Sequence, residues 1–194
     1  IRYVKADAGG ANTGASWANA YTDLQSALVV ANFGDEIWVA KGTYKPTTGS
    51  DRTKSFVLAA GVKHYGGFAG TETTPTQRNW AANVTILSGD IGVAEDTSDN
   101  VYHVVAGADN AVLDGFTVTG GNANASSPNN AGGGMRNASV SPTVANCTFS
   151  GNASALNSGA GGGMYNVNAS PTVTNCTFSG NSASSGGGGV GMSN

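Results

Sequence analysis

The chain has 194 residues, 30 of them glycine; only 11% are charged, 8% are aromatic and the net charge is −3. It is long enough to bury a core, but so few large apolar residues suit a thin core of small aliphatic side chains. No basic stripe offers the electrostatic footprint of nucleic-acid binding, and no run of about 18 apolar residues offers a spanning helix.

Ile1-Arg2-Tyr3-Val4-Lys5 alternates apolar and polar and reads as the first strand of a mature chain whose leader is gone. Thr22-Asp23-Leu24-Gln25 has the form of a capping box. Leu24, Ala27, Leu28 and Ala31 then recur at helical spacing, which predicts one short helix over 23–31, stopped by Asn32-Phe33-Gly34. A lone helix ahead of a run of strands has an evident task, covering the open end of a stack.

Short strands are expected next, at Ile37-Trp38-Val39-Ala40, Phe56-Val57-Leu58, Val62-Lys63-His64-Tyr65 and Val84-Thr85-Ile86-Leu87. Tyr102-His103-Val104-Val105 and the segment from Ala111 through Phe116 to Val118 continue the series. Insertions at 46–53, 71–82 and 91–100 should project from it as loops, and the 123–130 loop is expected to be disordered.

Near the end the pattern becomes a tandem repeat. Gly132-Gly133-Gly134-Met135 and Ser141-Pro142-Thr143-Val144-Ala145-Asn146-Cys147-Thr148-Phe149-Ser150-Gly151-Asn152 return as Gly161-Gly162-Gly163-Met164 and Ser170-Pro171-Thr172-Val173-Thr174-Asn175-Cys176-Thr177-Phe178-Ser179-Gly180-Asn181. Met135 to Met164, Cys147 to Cys176 and Phe149 to Phe178 are each 29 residues apart, and a third copy opens at Gly189-Val190-Gly191-Met192. A fixed period of this size signals a solenoid, whose unit buries its apolar face only against copies of itself. Cys and Phe alternate with Thr and Ser between Gly, Asn and Pro turns, which selects strands over helices.

The predicted fold is therefore all-β: a right-handed parallel β-helix with one short N-terminal capping helix. The chain divides as a single domain, 1–194, into a strand and cap (1–34), irregular coils with insertions (35–118) and regular Gly- and Asn-rich coils (119–194). Val144 should lie over Val173, Cys147 over Cys176, Phe149 over Phe178 and Met135 over Met164, with Phe116 and Val118 one coil earlier in the places of Cys147 and Phe149.

Leu24-Gln25, Ala27-Leu28 and Gly34-Asp35-Glu36-Ile37-Trp38-Val39-Ala40-Lys41-Gly42-Thr43-Tyr44 resemble the N-terminal cap and first coil of the pectate-lyase-like β-helix superfamily. Tyr65-Gly66-Gly67-Phe68-Ala69-Gly70-Thr71-Glu72 and Leu87-Ser88-Gly89-Asp90 are similar to the following coils of large secreted bacterial β-helix repeat proteins. The late Gly-Gly-Gly-Met and Phe-Ser-Gly-Asn elements resemble repeats of chlamydial polymorphic membrane proteins and related adhesins, although Gly134 and Gly163 stand where that pattern has alanine. The resemblance implies a secreted or cell-surface protein. Its superfamily hosts lyases, hydrolases and adhesins alike, so activity does not follow from it.

A lyase of this shape needs a cationic base and bound cations, and a hydrolase needs paired carboxylates. After Asp114 the only charged side chain is Arg136. Any site must lie earlier, where Lys63, His64, Arg78, Asp90 and His103 are the candidates. The plain reading makes each histidine a strand residue facing a loop, Asp90 a turn residue, and Lys63 and Arg78 solvated charges. Asp90, Glu95, Asp96 and Asp99 could gather around calcium, but without the ligand spacing of a known loop. Cys147 and Cys176 come within bridging range as stacked neighbours, either as free core thiols or as a staple.

Asn137, Asn146, Asn166 and Asn175 should sit at coil corners and bond their copies. Asn83, Asn124, Asn137, Asn152 and Asn175 also fall in Asn-x-Ser/Thr form, a motif that turn composition alone produces. Thr143, Thr148, Thr172 and Thr177 form outward arrays too short for an ice-binding face. No catalytic, cofactor-binding or metal-ligating residue is assigned, and no cofactor is expected. The expected role is a non-catalytic extracellular or cell-surface β-helix, structural or adhesive, that self-associates head to tail through its ends, with Ile1 to Lys5 completing a neighbour's last coil. A glycan or host-surface ligand is the candidate partner. The alternative is a polysaccharide-active enzyme or carbohydrate-binding module with a groove flanked by Trp38, Tyr44, Tyr65 and Trp80.

Overall fold

The computed structural model describes residues 1–154, 160–184 and 190–194. Every strand pairing among these residues is parallel and joins a strand to one a coil away. About six coils stack into a parallel β-solenoid. The first sheet runs Arg2–Val4, Glu36–Ala40, Lys63–Phe68, Val112–Asp114, Thr143–Ala145 and Thr172–Thr174. A second joins Phe56–Val57, Val105–Ala106, Met135–Ala138, Met164–Val167 and Met192–Ser193, and a third joins Gly42–Tyr44, Thr85–Ser88, Phe116–Thr119, Thr148–Ser150 and Thr177–Ser179. Asn122–Ala123 against Ala153–Ser154 makes a small fourth.

Alternation along each strand sends one row of side chains inward from each sheet. From the first come Ile37, His64, Leu113, Val144 and Val173. The third contributes Tyr44, Leu87, Val118, Phe149 and Phe178, and the second Phe56, Val105, Met135, Met164 and Met192. The predicted stacking of Phe149 on Phe178 is present, with ring centroids 4.9 Å apart and planes 7° from parallel. Most members of these rows are fully buried, each large aliphatic or phenyl side chain among them stabilising the fold by about 1.5–3 kcal/mol. Early rows conserve apolar volume where late rows conserve identity.

The helix spans Leu24–Val30, inside the predicted 23–31. Its cap is Asp23 rather than Thr22: the Asp23 carboxylate accepts from Ser26 N at 2.8 Å, and a charged acceptor suits the positive end of a helix. Gln25, freed from the expected box, donates to the carbonyls of Pro46 and Ser55. Leu24, Ala27 and Leu28 enter the core and close the first coil, while Val29 and Phe33 remain exposed.

Arg2–Val4 is already paired with Glu36–Ala40. On its other edge Tyr3 N donates to Gly14 O, Tyr21 N to Tyr3 O and Lys5 N to Tyr21 O, at 2.8–3.0 Å. With both edges taken, this strand is not free to complete a coil of a second molecule. The 123–130 loop also departs from expectation: Ala125 N donates to Asn129 O and Asn129 N to Ser126 O, so it forms a defined turn.

Asparagines form separate ladders rather than one set of corners. Asn146 and Asn175 do hold corners, at φ 51°, where Asn tolerates a left-handed backbone that most side chains avoid. Asn137 and Asn166 instead lie inside strands and point into the core, 0% and 2% exposed. Asn137 Nδ2 donates to Asn166 Oδ1 at 2.7 Å, and Asn166 Nδ2 to Asn194 Oδ1. Asn152 Nδ2 reaches Val118 O, and Asn181 Nδ2 repeats this to Phe149 O, both at 2.9 Å. A buried amide is costly unless satisfied, so each ladder favours the register that pairs its members. Of the third repeat copy, Gly189 lies outside the described residues, but Met192 pairs with Met164 as the repeated motif predicts, 28 residues on, one short of the 29-residue period.

Candidate functional site

The outer face of the first sheet carries Tyr65 and Asp114 on adjacent rungs, and the 71–82 insertion folds back over them. Burial works against the Glu72 carboxylate, yet backbone N–H donors of Ala69, Gly70 and Thr71 hold it below its usual range and tighten the start of the insertion. Gln77 then accepts from Thr73 N and Thr74 N around the short turn Pro75–Gln77. The insertion can lie this close because residue 67 is glycine: a Cβ there would stand 2.7 Å from the Trp80 backbone.

Arg78 is the pin. Its Nη2 donates to Asp114 Oδ2 at 2.6 Å and its Nη1 to the carbonyl of Asp114 at 3.2 Å. The guanidinium lies 4.7 Å from the Tyr65 ring centroid and 5.1 Å from that of Trp80, distances typical of cation–π contact. With its side chain 10% exposed, Arg78 is a buried ion-pair partner and not the solvated charge predicted. Asp114 Oδ1 accepts from Asn146, whose Oδ1 accepts from Asn175, so the pin continues into the corner ladder. Beside it opens a cleft of about 370 Å³ lined by Tyr65, Pro75, Thr76, Arg78, Trp80 and Asp114.

Of the four aromatics expected to flank a groove, Tyr65 and Trp80 line this cleft. Trp38 is 1% exposed and Tyr44 4%. Trp38 stacks on Phe68 at 4.8 Å beside Tyr3 and Trp17. Burial pushes the Tyr44 phenol up to about 12, and its hydroxyl donates to Ala40 O. These rings pack loops and core and offer no ligand surface.

Residues 7–194 match the model of a family described as a protein of unknown function, DUF1565. The chain belongs to that family. No curated protein and no solved structure matches it. The DUF1565 match takes in the capping helix, the pinned insertion, the cleft and both late repeats.

The other predicted candidates of this DUF1565 chain are dispersed. Lys63 pairs with Glu36 at 3.6 Å in the open. Asp90 pairs with Lys45 and accepts from Glu95 N, Asp96 accepts from Ser98 N, and Asp99 accepts from Val93 N. These acidic groups cap separate turns, and no group of three or more His, Cys, Asp or Glu able to hold a metal occurs among the described residues. His103 faces a loop as expected, with Nδ1 at 3.0 Å from Gly132 O and Nε2 at 3.2 Å from Asn129 Oδ1. Among the described residues no helix is long and apolar enough to cross a membrane.

His64 contradicts its predicted orientation, pointing into the core between Ile37 and Leu113 at 1% exposure. Nδ1 meets Val112 O at 2.9 Å while Nε2 has no partner. Burial pulls its pKa from 6.5 down to about 4. The unfolded chain therefore binds this proton more readily, so the stability His64 supports is complete above pH ~6.5 and is lost as the pH falls towards 4, by about 3 kcal/mol. His64→Leu should flatten urea midpoints measured across that window; an unchanged pH slope would place the sensitivity elsewhere.

Sequence reasoning missed the Arg78–Asp114 pin, the part Pro75 and Thr76 play in the cleft, and the inward asparagines. Strand parity could have found the last: Met135 points in, Arg136 out and Asn137 in.

Proposed function

We propose that this chain is a non-catalytic, secreted or cell-surface β-helix with a structural and adhesive role, a rod whose long sides carry contacts and whose ends join copies head to tail. One observation carries the reading: the charged groups beside the cleft are engaged in holding the insertion to the coils, and the core histidine is out of reach. Asp114 is held by Arg78 and Asn146, and His64 is sealed inside. A base or acid so engaged cannot reach a substrate. The resemblance to pectate-lyase-like and adhesin β-helices supports an extracellular setting. Because Arg2–Val4 has no free edge, the exposed Val29 and Phe33 of the cap are the surface on which such a join would form. Sedimentation velocity over a concentration series, with negative-stain imaging, tests this. Linear oligomers that shorten with Val29→Asp are expected; a strictly monomeric species at high concentration would remove the self-assembly part of the reading.

A second reading is favoured by the cleft itself. Tyr65 and Trp80 flank it, Trp80 39% exposed, and aromatic side chains of this kind suit the C–H faces of a sugar, with Thr76 as a hydroxyl partner. Carbohydrate binding there predicts retardation in affinity gels containing pectin, alginate or glycosaminoglycan and its loss in Trp80→Ala. New reducing or unsaturated ends in the same incubations would overturn the non-catalytic assignment.

A further inference from the structure

Cys147 and Cys176 follow the left-handed corner residues Asn146 and Asn175 on successive coils. Ala145 pairs with Thr174 before them and Thr148 with Thr177 after. That register places the two cysteines one strand spacing apart, about 4.8 Å between backbones, inside the roughly 4.4–6.8 Å that a disulfide spans. Both are free thiols. Each Sγ lies 3.6 Å from a carbonyl of the coil before it, Leu113 O for Cys147 and Val144 O for Cys176, and Cys176 Sγ also lies 3.3 Å from Thr174 O. Cys147 is buried, 1% exposed, whereas Cys176 is half-buried.

We propose that Cys147 and Cys176 form a reversible dithiol–disulfide pair that responds to low-molecular-weight disulfides, with Cys176 the attacking thiol and Cys147 the resolving one. The asymmetry of the corner supports these roles. Burial, reinforced by its neighbour's sulfur, pushes the Cys147 thiol well up. The Cys147 thiol beside it draws Cys176 down to about 7, against its partial burial and the nearby Asp114 carboxylate, and the thiolate is the nucleophile. Cys176 S⁻ attacks one sulfur of R–S–S–R: a Cys176–S–S–R bond forms, the R–S–S–R bond breaks, and R–S⁻ leaves with the electron pair. Cys147 then gives its proton to a released thiolate and attacks the Cys176 sulfur, expelling the second R–S⁻. Two thiols become one disulfide, the reagent is reduced to two R–SH, and the cysteine protons end on them. The new bond closes a 29-residue loop and links two coils covalently.

The test is native full-length protein incubated with oxidised glutathione, then alkylated and mapped without reduction. The expected product has lost two hydrogens and yields one peptide pair joining Cys147 to Cys176. Cys147→Ser should accumulate the mixed disulfide at Cys176, and Cys176→Ser should stay unmodified. Oxidation should raise the thermal midpoint by about 5 °C, reversed by reductant. A glutathione adduct that persists on Cys176 of the wild-type chain, a Cys176-linked dimer, or thiols that react only after unfolding would each overturn the proposal. The wild-type peptide map decides even if a variant folds poorly.

Discussion

Phe149→Ala is expected to cost about 3–5 kcal/mol of stability, the range for emptying a phenylalanine site in a packed core. Phe149 is 0% exposed and lies between Val118 on one coil and Phe178 on the next, stacked on the latter. The cavity cannot collapse, because the rungs on both sides are held at strand spacing by their own hydrogen bonds, and a rigid site retains its void. Phe178 stacks on Phe149 on one side but is only half-buried. Phe178→Ala should therefore lose no more than about half as much, since less apolar area returns to water. Urea denaturation of both variants by circular dichroism makes the comparison. Equal losses, or a loss under about 1 kcal/mol at Phe149, would mean the side chains are not stacked as described. Because a solenoid interacts through nearest neighbours, hydrogen exchange should accelerate mainly in coils next to the substitution.

Asp114→Ala is the second large effect, about 3 kcal/mol. It leaves the Arg78 guanidinium with its side chain 10% exposed and no counter-charge, and it strips an acceptor from Asn146. Breaking a buried pair from one side is far costlier than replacing both partners. The double variant Arg78→Met with Asp114→Leu should accordingly recover most of the loss, and a double-mutant cycle isolates the pair. Trypsin supplies a second reading. With the pin gone, cleavage in the 71–82 insertion should rise many-fold in Asp114→Ala, while Arg78→Met removes its own cleavage site and serves as control. An insertion that stays resistant would mean that Gly67 and the Glu72 turn hold it unaided.

The fold was legible because the period is written in residues that are scarce elsewhere in the chain. Two cysteines, and methionines and phenylalanines at one spacing, leave little choice of register, and Phe149 over Phe178 follows. Earlier coils share the rungs without the identity. Lys63 pairs with Val112 across two long insertions, so that spacing carries no signal. His64 could have been placed: Val62 in, Lys63 out, His64 in and Tyr65 out is the alternation of a half-buried strand, and a prior that histidines face loops concealed it. Arg78 could not. Its partner lies 36 residues away, and only the folded insertion brings them together. Corner and core asparagines look alike in composition, and telling them apart requires the strand phase on either side.

The uniform step of the late coils has a consequence for how such a molecule can change. Each layer presents to the next the same surface it receives from the one before, so a whole layer can be removed or copied without redesigning its neighbours. Excising one full period, for instance residues 148–176, would bring Cys147 directly before Thr177 and restore an unbroken path. Reach thus becomes a countable quantity, altered in whole increments of about 4.8 Å, while the capping helix and the pinned insertion stay as they were.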